Sequence, residues 1–319
     1  MPISSCAKHG RRLACTLGLL LGGLAIAVPI KAEVLQVGPG QAYRIPSAAA
    51  RVAKTGDIVR IAPGLYHDCA VWRANNLLIE GAGPGVVLRG KTCQGKAIFV
   101  ITGNHVTVRG IRFEKARVPD GNGAGIRASG RYLSVIDDQF IDNQEGILAG
   151  NIPGGRIVIR HSRFIHNGTC ISRLGCAHGV YVGHIALLKI IDSVFYATQV
   201  GHDIKSRALK TVLIGNRIED GPDGTASYEV DIPNGGTLIM HGNIIEKGPN
   251  SDNHGTAIMI GEAGNLQPSQ GILVQNNTFI NNGPPTVFVR NLTPTPARLA
   301  NNIFKGNETT PLVGKGPIH

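Results

Sequence analysis

DQFIDN (138–143), SRFIHN (162–167) and SVFYAT (193–198) are three versions of one phrase, an aromatic residue set between polar corners. The phrase extends both ways, to IRFEKA (111–116) upstream and to NRIEDG (216–221), NIIEKG (243–248), NTFINN (277–282) and NIFKGN (302–307) downstream. Its central residues are Phe113, Phe140, Phe164, Phe195, Ile218, Ile245, Phe279 and Phe304, at intervals of 27, 24, 31, 23, 27, 34 and 25. Self-similarity on this scale marks a stacked array, in which each unit covers its neighbour's apolar face.

The units lack helical periodicity. Each holds short β-branched alternations, such as VTVRGI (106–111), RIVIR (156–160), LKIID (188–192), TVLIGN (211–216) and GILVQNN (271–277). Alternation over four to six residues is a strand signature. Gly and Asn, which enter left-handed backbone at little cost, separate the runs. A coil of this length with several short strands and Gly/Asn corners predicts an all-β, right-handed parallel β-helix. Its equivalent residues should stack as ladders about 4.8 Å apart. Asn143, Asn167, Asn282 and Asn307 follow the repeat and read as a turn ladder. The chain contains 43 Gly and a single Trp, in keeping with such a solenoid.

The segment 33–68 reads as strand, short helix (Ile45 to Ala53), turn and strand, so residues 33–64 are expected to cap the solenoid. Coils then fill 65–310, and 311–319 is expected as a loose tail. The phrase GDIVRIAPGLY (56–66), followed by Asn/Gly-punctuated coils, resembles the entry into the pectate-lyase-like β-helix superfamily. The resemblance covers nearly all of 34–310. It implies the fold and a set of activities on carbohydrates, namely lyases, hydrolases, epimerases and adhesive modules.

Residues 1–32 read as a secretory signal, with Lys8, Arg11 and Arg12 before an apolar stretch from Leu13 to Val28 and Ala32 or Ala27 at the cleavage point. A periplasmic or secreted protein without a membrane span is expected. Of the remaining four cysteines, Cys69 and Cys93 lie one coil apart and Cys170 and Cys176 close a small loop, which predicts two disulfides. The whole chain carries +11; without the four basic residues of 1–32, 28 Lys and Arg stand against 21 Asp and Glu, leaving +7. For an exported protein without basic–aromatic clusters this balance points to an acidic polysaccharide and away from nucleic acid. A monomer is expected.

Three successive coils concentrate polar residues: HGVYVGH (178–184), GHDIKSRA (201–208) and SYEVDIP (227–233). With strict alternation and Val180, Ile204 and Val230 inward, Tyr181, Asp203, Lys205, Arg207, Glu229 and Asp231 should share one outer patch. His178, His184, His202 and Tyr228 flank it, and His254 closes its rim. The set suits β-elimination from a uronate polymer. Lys205 is the expected base, with His202 as the variant choice, Arg207 clamps the carboxylate, and Tyr181 or His178 protonates the departing oxygen. The resemblance adds possible calcium, with Asp203, Glu229 and Asp231 as its oxygen ligands. A hydrolase using Glu229 and Asp231, a C5-epimerase and a non-catalytic glycan-binding solenoid are the alternatives. Arg127, Asp137, Asp138 and Glu145 read as solvated wall.

Overall fold

The computed structural model describes residues 32–318. The segment 1–32 read as a secretory signal, with Lys8, Arg11 and Arg12, lies outside the described residues except for Ala32. The chain winds through three parallel sheets of 11, 10 and 10 strands, each strand pairing with its equivalent one coil away. Sheet 1 begins at Val34–Val37, sheet 2 at Gly64–Tyr66 and sheet 3 at Ala70–Trp72. The one helix among the described residues, Pro46–Ala50, packs Ala49 and Pro46 against the first coil. It is shorter than the expected span.

The repeat is sheet 2. Phe113, Phe140, Phe164, Phe195, Ile218, Ile245, Phe279 and Phe304 are aligned residue for residue on successive strands. Rings of Phe140, Phe164 and Phe195 stack at 4.7 and 4.6 Å, close to the interstrand spacing. Each buried ring contributes about 2–3 kcal/mol of apolar burial. The corner before each of the last eight sheet 2 strands requires left-handed backbone: Gly110, Asp137, His161, Asp192, Gly215, Gly242, Asn276 and Asn301 all have φ between 47° and 68°.

The polar ladder differs from expectation. Asn143 and Asn167 do pair side chain to side chain at 3.0 Å, but Asn282 and Asn307 stand exposed, outside any continuous ladder. A longer series runs along the corner between sheets 1 and 2, from Asp138 through Ser162 and Ser193 to Asn216, Asn243, Asn277 and Asn302. Asp138 is therefore buried, accepting the Ile111 amide, and is no part of a solvated wall. The expected loose tail is also corrected. Thr309–Gly314 is a strand paired with Thr286–Asn291, and Ile318 bridges Leu299.

Both disulfides form, Cys69 with Cys93 and Cys170 with Cys176. The second staples an antiparallel hairpin, Thr169–Ile171 with Gly175–Ala177, beside sheet 3. Among the described residues no helix is long and apolar enough to cross a membrane.

Candidate functional site

Sheet 3 breaks the alternation rule where it matters. In His202–Ser206 and Tyr228–Ile232, His202 pairs with Tyr228, Ile204 with Val230 and Lys205 with Asp231, while 203 and 229 are skipped. At this kink two consecutive side chains face inward. Outward residues are thus three apart rather than two, giving 178 and 181, 202 and 205, 228 and 231.

Asp203 and Glu229 are the corrections that follow. Both are fully buried inside the coil, where Glu229 Oε1 meets Lys247 Nζ at 3.0 Å and Asp203 Oδ1 accepts from Thr198 at 2.6 Å. The packing explains why carboxylates fit there. On earlier coils the same place holds Gly125, Gly146 and Gly179, where a Cβ would press on Phe113 and Phe140, Phe164 and Phe195, respectively. When sheet 2 changes from Phe195 to Ile218 and Ile245, the released volume takes Asp203, Glu229 and the Lys247 stem. Burial raises both carboxyl groups well above their usual range.

The proposed calcium ligands therefore do not converge, since Asp231 faces out and the other two face Lys247. Among the described residues no cluster of three or more His, Cys, Asp or Glu is arranged to hold a metal. The Glu229/Asp231 pair considered for hydrolysis is likewise split across the wall.

The outer face gathers most of the other candidates. His178 and His202 stack at 4.8 Å, and His202 and Tyr228 at 4.9 Å. The His202 amide donates to His178 Nδ1 (3.0 Å), and the Tyr228 amide donates to His202 Nδ1 (3.2 Å). Each ring nitrogen that accepts an amide is unprotonated, so both imidazoles are neutral and present Nε2–H. Burial, reinforced by nearby cations, pushes His178 well down and His202 down to about 3. His202 Nε2 lies 3.5 Å from Asp231 Oδ2. Lys205 Nζ sits 3.0 Å from the same oxygen, with the lysine side chain 16% exposed and the aspartate wholly buried. Neither Asp231 oxygen has a well-directed hydrogen bond, and burial holds this carboxyl up at about 6 despite the ammonium beside it.

Arg207 is aimed by three groups. Its Nε donates to Tyr181 Oη at 3.2 Å, its Nη1 to Asn234 Oδ1 at 2.5 Å, and its carbonyl accepts from Gln267. Tyr228 donates to Glu262, and burial together with that carboxylate lifts its hydroxyl to about 12. His184 and His254 stand apart from the stack. His184 is exposed and reaches Gln267 at 3.5 Å, whereas His254 lies beside Gly283 and the ladder after Tyr228 continues through Thr256.

Sequence reasoning missed Asn234, Glu262 and Gln267, and its placing of Glu145 in the solvated wall is corrected by burial. Glu145 is 2% exposed, has an unpartnered Oε2, and shares the outer ladder with His178. Its place was concealed because the hairpin 169–177 lengthens the intervening coil.

A family model described as a right handed beta helix region matches residues 172–317. The structure of the pectate lyase Pel9A superimposes with a TM-score of 0.50 at 14% identity, covering 91% of this chain and 80% of that one. The alginate lyase from Paenibacillus sp. str. FPU-7 gives 0.53 at 16% identity, covering 88% and 99%. No protein of curated function matches the sequence. The chain folds as a right-handed parallel β-helix, the fold it shares with these two lyases.

Proposed function

We propose that this protein is an exported polysaccharide lyase that cleaves an acidic, uronate-containing polymer by β-elimination. The observation that carries the reading is the mostly buried Lys205 ammonium, held 3.0 Å from Asp231 beside the positioned Arg207 on an open face. Arg207 takes the uronate carboxylate through its guanidinium, which makes the C5 proton acidic. Asp231 is the nearest acceptor for the ammonium proton, and neutral Lys205 then removes the C5 proton. The electron pair forms the C4–C5 double bond as the C4–O bond breaks. The departing oxygen takes a proton from Tyr181 Oη; His178, neutral with Nδ1 accepting the His202 amide, has no acidic proton to give. His202 has its Nδ1 lone pair committed to the Tyr228 amide, so it is not the base; it flanks Asp231 with a neutral ring 3.5 Å away. The two disulfides and the basic balance of the chain fit an oxidising compartment and a polyanionic substrate.

The test is ultraviolet absorbance of the unsaturated uronate. Mature protein is mixed with alginates, pectates, glucuronans and glycosaminoglycans, beside a Lys205→Ala control. A rise that the control abolishes is expected. Reducing ends without unsaturation would move the reading to hydrolysis, inversion at C5 without scission to epimerisation, and binding without turnover to a glycan-binding solenoid.

A further inference from the structure

Between the stapled hairpin and the outer face of sheet 3 lies a cavity of about 150 Å³. Its lining includes Glu145, Leu148 and Tyr181 from sheet 3, Leu174 at the hairpin tip, and Asp120 from a neighbouring loop. The hairpin is held down on that loop: Ile171 occupies the space a side chain at Gly121 would need, and Gly121 has φ 73°. Tyr181 belongs to both places, bordering the cavity with its ring and meeting Arg207 with its hydroxyl.

We infer that this cavity is a subsite for an uncharged sugar, so that the polymer handled here alternates uronate with neutral residues. The inference rests on the lyase reading for the position of the uronate at Lys205 and Arg207. Three observations support it. The cavity volume equals about five waters' share of liquid, room for a single sugar ring. Its lining has two carboxyl groups and no Lys or Arg, a poor place for a second uronate carboxylate. Leu148, Leu174 and Tyr181 offer an apolar and aromatic surface to the C–H face of a pyranose, and Glu145 lines the same cavity with a buried Oε2 that lacks a hydrogen-bond partner, which a small side-chain shift toward a sugar hydroxyl would supply. Burial raises the Glu145 carboxyl well above its usual range, with Arg127 and Lys205 opposing from nearby, so it can donate as well as accept. Tyr181, the wall of the cavity nearest the site, lies one coil from Lys205, about 5 Å along the solenoid, so the two places fit adjacent rings of one bound chain.

Calorimetry on the mature Lys205→Ala protein, which should bind without cutting, tests this with two oligosaccharides of equal length, one all uronate and one alternating uronate with neutral hexose. The alternating ligand should bind on the order of tenfold tighter, the worth of one buried hydrogen bond with ring stacking. Adding Glu145→Ala should erase most of that preference and leave all-uronate binding unchanged. Leu174→Ser should reduce it too, and at 62% exposure that change cannot disturb the fold. Equal affinity for the two ligands, or an equal loss for both in the variants, overturns the subsite. Absence of binding to either does the same. Absorbance with wild-type protein is read separately: preference without unsaturation sinks the lyase reading alone, and unsaturation without preference sinks the subsite alone.

Discussion

The strand Tyr228–Ile232 supplies the carboxylates of two lysine–carboxylate pairs with the same 3.0 Å separation on opposite sides of one wall, Asp231 with Lys205 and Glu229 with Lys247. Inside, Lys247 meets Glu229 at zero exposure, with Asp203 beside them and Asp220 held by Ser251 and two backbone amides. Outside, Lys205 meets Asp231 with water at its edge and two neutral imidazoles alongside. Geometry alone does not separate a structural pair from a reactive one. What differs is access, and the freedom of the ammonium to give up its proton to a partner and then take one from a substrate.

Removing the inner cation is the strongest way to break the comparison. Lys247→Met should lower stability by about 3–5 kcal/mol, because it leaves carboxyl groups in a dry interior with no counter-charge. Urea denaturation reads this directly, and a wild-type midpoint would mean that the inner pair is dispensable. Lys205→Ala should cost less stability, since water reaches the vacated space. It should instead lower turnover by a hundredfold or more, the usual worth of a positioned proton-transfer group. If both variants behaved alike in both assays, the distinction between the two sides of the wall would collapse.

The kink is also where sequence reading stopped. The Phe113 to Phe304 series was legible because its spacing survives every insertion, and the register follows it throughout. The outer candidates Lys205, Arg207, His202, His178 and Tyr181 were legible as a concentration of polar residues on adjacent coils. The side each residue faces was not, because period-two alternation holds for an extended strand and fails where 203 and 204 both turn in. Glu145 was hidden for a different reason: nothing local marks a glutamate as buried, and the hairpin between it and His178 masks their alignment. Asn234 and Gln267 sit on irregular chain whose approach to Arg207 only the folded structure provides.

The outer pair makes a sharper prediction through pH. Asp231 is raised from 3.8 to about 6, so its contribution to stability is full below 3.8 and is lost as pH rises through 6. His202 is depressed from 6.5 to about 3, so its contribution is present above 6.5 and is lost as pH falls. Between about pH 4 and 6 the two trends cancel. Asp231→Asn removes the first and keeps the second. Relative to wild type the variant should lose about 1.4 kcal/mol for each pH unit of acidification across that window. Denaturant midpoints at the two ends measure it, and parallel pH profiles for variant and wild type would show that the two groups do not titrate as the burial implies.

The smallest expected effect concerns how each side is held in place. Asn234 links Arg207 to the 261–270 loop, accepting from the guanidinium and donating to the Gly264 carbonyl at 2.9 Å. Its inner counterpart is Ser251, whose hydroxyl donates to Asp220. Asn234→Ala should raise KM severalfold, about 1 kcal/mol of lost positioning, with kcat and melting temperature nearly unchanged. Ser251→Ala should do the reverse, lowering the melting temperature while KM stays put, because it leaves a buried carboxyl oxygen short of a donor. The crossed pattern is the test. A KM effect from Ser251→Ala would mean that the interior cluster shapes the outer face, and the two sides of the wall would then have to be treated as one site.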